Sequence, residues 1–128
     1  MKIKKPKISF KDKRGKIIDI LEKEPIEYVT LITSKKGAIR GNHFHKKSVQ
    51  YNYVLKGKLK LFSKTKGGKL RSTVLKPGDL ALNPKGEEHA ILAMEDSEFF
   101  VFTRGPRGGE NYELDTYRLK DKLKLVKL

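Results

Sequence analysis

Apolar residues in this chain gather in short runs closed by glycine, proline or charged turns, and nowhere do they hold helical spacing for three turns. That punctuation is the strongest constraint on the fold, because a chain without long periodic helices must bury its apolar surface between sheets. Strands are expected at 17–21, 27–33, 38–45, 49–55, 70–75, 80–83, 89–94 and 99–103. Leu59, Leu61 and Ser63 alternate with Lys58, Lys60 and Phe62, the period of a strand with one wet face. Lys66-Gly67-Gly68-Lys69 is the clearest hairpin turn, and Pro77-Gly78-Asp79 and Pro84-Lys85-Gly86 close two further strands. The run 99–103 is almost continuously apolar, which predicts a strand buried on both faces. Short strands, tight turns and no crossover helices together predict an antiparallel sandwich or barrel with little or no helix.

A chain of 128 residues suffices for one core and not for two. The expected organisation is a single domain over 1–128, with its core at about 8–104 and an extension over 105–128. Glu110 to Arg118 is too polar for core and too aromatic for a disordered tail. That stretch, around Tyr112 and Asp115, is expected to close the mouth of the fold or to pack against a second copy. Leucine and lysine alternate from 119 to 128, a pattern that predicts an edge strand.

The chain contains only three histidines, and their spacing points to one site. His43 and His45 stand two residues apart in a predicted strand, so both imidazoles leave the same face as adjacent ligands for one metal. Gln50 reaches that face only if a turn intervenes at 46–48. His89 follows the turn after Pro84, on a later strand that has to lie beside the first.

Gly41-x-His43-x-His45-x4-Gln50-x6-Gly57 resembles the first cupin motif, with glutamine where glutamate is usual. Gly78-x5-Pro84-x-Gly86-x2-His89 resembles the second, with Ala93 where that motif ends in asparagine. This resemblance implies a double-stranded β-helix, or jelly-roll barrel, that is usually a homodimer. It also implies a metal held by His43, His45, Gln50 and His89. An amide oxygen at Gln50 is a weaker, neutral ligand than a carboxylate, and imidazoles accept Zn, Ni, Co, Mn or Fe(II).

Phe10-Lys11-Asp12-Lys13-Arg14-Gly15 and Arg40-Gly41-Asn42-His43-Phe44-His45-Lys46 are similar to stretches of the sugar-nucleotide cupins, epimerases and ketoisomerases of 4-keto-6-deoxy sugars. Gln50 fits the ketoisomerase branch, whereas a histidine at position 89 belongs to metal cupins. That likeness implies a sugar or nucleotide-sugar ligand and proton transfer beside a carbonyl. Without metal, His43 and His45 serve as acid and base near neutral pH. Arg14 and Arg40 are candidates to clamp a diphosphate, and Asn52 shares the polar face of Gln50. Tyr51 and Tyr53 offer phenols, although a period of two aims both away from that face. Two other classes remain open: a metal-dependent dioxygenase, and a non-catalytic cupin that senses a small molecule.

Composition narrows the partners. The formal charge of +15 is supplied mostly by lysine and is spread along the chain, without a recognition helix or an aromatic RNA motif. Nucleic acid is therefore disfavoured. A run of about 18 apolar residues, as a membrane-spanning helix needs, is absent. No apolar stretch follows the basic N-terminus as in a secretory signal. Cysteine is absent, which excludes disulfides and thiol chemistry, and the expected location is the cytoplasm.

Overall fold

A computed structural model describes residues 1–106 and 114–126. Its strands are β1 (Lys2–Lys4), β2 (Ile8–Asp12), β3 (Gly15–Ile18), β4 (Tyr28–Ser34), β5 (Ile39–Phe44) and β6 (Val49–Lys56). They continue with β7 (Leu59–Lys64), β8 (Arg71–Leu75), β9 (Leu80–Asn83), β10 (Glu88–Ala93), β11 (Ser97–Arg104) and β12 (Tyr117–Arg118). The order β1-β9-β6-β11-β4 forms one five-stranded sheet, β12-β5-β10-β7-β8 forms a second, and β2-β3 stands apart as a hairpin. Every pairing is antiparallel.

The all-β expectation holds, but the jelly-roll barrel does not form, since both five-stranded sheets are open and neither closes on itself. Alternation specifies which face of a strand is buried, and it says nothing about whether two edge strands find each other's hydrogen-bonding groups. The sheets instead share a layer of side chains. Val54, Ala81, Phe99 and Val101 from the first sheet meet Leu59, Leu61, Leu75, Ile91 and Ala93 from the second, all of them buried. At about 25 cal/mol per Å² of apolar surface removed from water, this layer is the main source of stability.

Two local expectations also change. β11 is not buried on both faces: Ser97, Phe99, Val101 and Thr103 point inward, while Phe100 and Phe102 are half-exposed on the outer face. The alternating run after residue 118 is no edge strand within its described part. Tyr117–Arg118 takes the edge position beside β5, and a 3-10 helix follows at Asp121–Leu123. Asn42 diverts that segment, because its backbone carbonyl accepts from Leu119 N and its side-chain oxygen from Leu125 N and Val126 N. Glu110 and Tyr112 lie outside the described residues.

Candidate functional site

His43 and His89 are direct partners in the β5–β10 ladder, so their side chains leave the same face of the second sheet. The next partnered pair is Gly41 with Ala90, which leaves Asn42 as the extra residue of a bulge. Gly41 and Asn42 both adopt left-handed backbone, with φ of +89° and +56°. A Cβ on Gly41 would stand 2.8 Å from the His89 carbonyl oxygen, so glycine is needed there for the two strands to approach. The bulge has a functional effect. Arg40 and His43 are three residues apart and would leave opposite faces of a regular strand, yet with the inserted residue both line one cleft.

His45 lies just beyond β5, in the turn that leads to β6. Ring centroids are 4.7 Å apart for His43–His45, 4.7 Å for His43–His89 and 5.3 Å for His45–His89. One nitrogen from each of the three rings lies within 4.8 Å of the others. His45 Nδ1 stands 2.8 Å from the backbone carbonyl of Asp115. A carbonyl only accepts, so Nδ1 carries the proton and the lone pair is on Nε2. That Nε2 is buried and has no hydrogen-bond partner. An oriented imidazole with an unsatisfied, buried lone pair beside two more imidazoles suits a transition metal, and the donor set fits the group.

Asp115 also sets the turn that carries His45. Its carboxylate accepts from the backbone N–H groups of Lys46, Lys47 and Ser48 at 3.1, 2.9 and 2.8 Å. Burial pushes the Asp115 carboxyl up, but the hydrogen bonds from Lys47, Ser48 and Lys46 outweigh it and hold the group below the usual aspartate range. Next along the chain, Tyr117 stacks on Phe44 with centroids 5.2 Å apart and lies under Lys46 Nζ. The described part of the C-terminal extension therefore packs on its own sheet, at the histidine end.

The first sheet supplies the opposite wall. Gln50 and Asn52 on β6 line a cleft of about 340 Å³ together with His43, His89, Arg40, Thr116 and Arg118. Of the proposed metal set, His43, His45 and His89 converge, and Gln50 lines the same cleft as His43 and His89. Arg40 sits at the rim, its guanidinium donating to Ser34 Oγ and the Thr33 carbonyl. Arg14 lies elsewhere, at the turn of the β2–β3 hairpin, where it pairs with Asp12 at 2.7 Å and is largely exposed. Tyr51 faces outward among Leu80, Leu82, Ile20 and Leu21. Burial raises its phenol, with Glu24 adding to the effect. No tyrosine and no carboxylate among the described residues lines the cleft.

The stretch holding Asp115, Thr116 and Arg118 was expected at the mouth of the fold or against a second copy, but none of the three was legible as a site residue in its own right. They follow a stretch with no strand pattern, and only the pairing of β12 with β5 brings them to the histidines. A weak signal existed in Tyr117 and Arg118, an aromatic next to a cation in a polar segment.

The molecule resembles solved enzymes over nearly its whole length. Against a TDP-bound double mutant of the QdtA 3,4-ketoisomerase from Thermoanaerobacterium thermosaccharolyticum, the TM-score is 0.76 at 26% identity, covering 96% of this chain and 90% of that one. For the dTDP-4-dehydrorhamnose 3,5-epimerase of Sulfolobus tokodaii the values are 0.77, 21%, 94% and 77%. For the rmlC epimerase of Mycobacterium tuberculosis they are 0.78, 17%, 98% and 72%, and at such identities the likeness concerns the fold alone. In sequence, 61 residues are 36% identical to an oxalate decarboxylase of Arthroderma benhamiae, covering 48% of this chain and only 14% of that protein's length. The family model described as Cupin matches residues 13–120, and on that match the chain belongs to the cupin family.

Proposed function

We propose that this protein is a sugar-nucleotide isomerase or epimerase that moves a proton beside a carbonyl, at a site able to hold one divalent transition metal. The observation that carries this reading is the convergence of three imidazoles, two of which, His43 and His89, line a cleft with an amide wall and two arginines. His43, His45 and His89 would hold the ion, with the Gln50 amide oxygen as the fourth ligand. Zn, Ni, Co, Mn and Fe(II) all suit three imidazoles, and such an ion polarises a carbonyl oxygen.

The chain's own groups account for the rest. With no carboxylate among the described residues lining the cleft and a formal charge of +15 on the chain, the field favours an anionic ligand. Arg40 and Arg118 are placed to meet a diphosphate, since guanidinium engages phosphate oxygens bidentately. In the absence of an ion, proton transfer falls to His43 and His89, the titratable side chains of the cleft that can both take and give a proton near neutral pH. Solved relatives of this fold include a ketoisomerase variant in complex with TDP-4-keto-6-deoxyglucose, which makes that compound the first substrate to try.

We also infer that the working unit is a homodimer. Val29 and Leu31 are exposed on the outer face of β4, an edge strand, next to Phe100 and Phe102. A second copy covering this face would bury a continuous apolar patch. Leu31→Lys is expected to shift the sedimentation coefficient from dimer to monomer. A parent that sediments as a monomer would remove this inference.

The functional test is hydrogen exchange. The full chain, assayed for metal and then incubated with TDP-4-keto-6-deoxyglucose in D2O, is expected to lose the NMR signal of the proton beside the carbonyl. His89→Ala should stop that exchange and lower metal content. No exchange, either without metal or with each of the five ions, would overturn the reading.

A further inference from the structure

The amide of Asn52 has a fixed direction. Its Nδ2 donates to the backbone carbonyl of Ala81 at 3.3 Å and to Asn83 Oδ1 at 2.8 Å. A backbone carbonyl has no proton to give, so the nitrogen of Asn52 has to face β9. Asn83 is oriented from its other side, where its own Nδ2 stands 3.5 Å from a carboxylate oxygen of Glu87, again a group that accepts. Asn52, Asn83 and Glu87 are all buried. Both protons of the Asn52 amide are thus committed, and its oxygen is the one polar atom this side chain has left for the cleft it lines.

We propose that Asn52 is a specificity-determining residue that presents only a hydrogen-bond acceptor to the cleft, and so selects a ligand bringing a hydroxyl group to the first-sheet wall. A sugar hydroxyl donates to such an oxygen. A dicarboxylate such as oxalate, the substrate named for the curated relative, offers only acceptor oxygens at neutral pH and meets it with repulsion. Asn83 is a positioning residue in this scheme, because it holds the Asn52 amide without reaching the cleft. The hydroxyl assignment rests on the sugar-nucleotide reading, whereas the fixed direction of the Asn52 amide stands without it.

Three measurements on the full chain separate these statements. In a 15N-labelled sample the Asn52 side-chain NH2 protons should exchange with water more slowly than those of Gln50, and equal rates would overturn the fixed direction. By calorimetry, unreactive TDP-glucose should bind more tightly than TDP, and Asn52→Leu should remove roughly tenfold of that advantage while leaving TDP affinity in place, the loss of about one hydrogen bond. Asn52→Ser, a smaller change, should give the same result if the leucine variant folds poorly. An advantage that survives both variants would overturn the proposal. Failure of both nucleotides to bind the parent would count against the sugar-nucleotide reading and against the hydroxyl assignment with it. Finally, oxalate should bind the zinc-loaded Asn52→Leu variant at least as tightly as the zinc-loaded parent, and weaker binding by the variant would overturn the acceptor wall.

Discussion

The space between the two sheets has two ends built from the same strands. β6 contributes Gln50 and Asn52 to one end and Val54 to the other, and β10 contributes His89 to one and Ala93 to the other. Ile91, Val101 and Phe99 join the two, belonging to the apolar layer while also lining the cleft. Both ends are closely buried, and both follow the same alternation. The apolar end gains stability from every side chain it removes from water. The polar end buries His45, His89, Gln50, Asn52, Asn83 and Thr103, groups that cost free energy unless each finds a partner. Two of its atoms, His45 Nε2 and Thr103 Oγ1, have none. One end of the sandwich therefore holds the fold together, and the other is a site carried at the first end's expense.

Truncation at the apolar end should separate the two roles most strongly. Leu59→Ala removes a fully buried side chain that does not line the cleft and is expected to cost about 2–5 kcal/mol by denaturant unfolding. Metal bound per folded chain should stay at the parental value, and a parallel loss of metal would show that the ends are not separable.

Next in size is Asp115→Ala, which strips three backbone N–H groups of their acceptor and loosens the turn carrying His45. We expect a loss of about 2–3 kcal/mol in stability. Metal affinity should fall by roughly tenfold, as when a group behind a ligand is disturbed. Unchanged affinity in a competition titration would mean that His45 does not depend on this segment.

The same carboxylate sets a pH dependence. Its folded pKa is depressed, so its contribution is complete above the unfolded aspartate value of about 3.9 and is lost as pH falls through the lower folded value. Asp115→Asn should therefore flatten the acid limb of the stability curve below about pH 4, measured by chemical denaturation at stepped pH. A parental slope in the variant would assign the acid limb to other groups.

The smallest effect expected is a gain. Thr103→Val replaces a buried hydroxyl that has no partner with a methyl of the same shape, and should raise stability by about 1 kcal/mol or less. A loss instead, read from the thermal midpoint, would reveal that the hydroxyl is satisfied in solution.

Much of the fold was legible because the relevant signals are local. Leu59, Leu61 and Ser63 alternate with wetter neighbours in the sequence and do so in β7. The turns after Leu55, Ser63, Leu75 and Asn83 carry the glycine or proline that ends each strand. The three histidines could be assigned to one place, because a spacing of two keeps His43 and His45 near each other and the turn at Gly86 leads straight to His89. β1 and β2 were not anticipated, since Lys2–Lys4 and Ile8–Asp12 are polar, largely exposed stretches that become strands by pairing with β9 and β3.

By itself, then, the sequence determined most of the inner strands and the grouping of the three imidazoles, which follow from period and turn chemistry within a few residues. Tertiary structure alone decided the rest. Open sheets in place of a closed barrel depend on which edge strands meet. The inward turn of Arg40 depends on the bulge at Asn42 against β10. The tautomer of His45 and the direction of the Asn52 amide depend on Asp115, Ala81 and Asn83, residues far away in the chain. These are hydrogen-bond choices between distant segments, and the pattern of one strand holds no information about the acceptor it will meet in another.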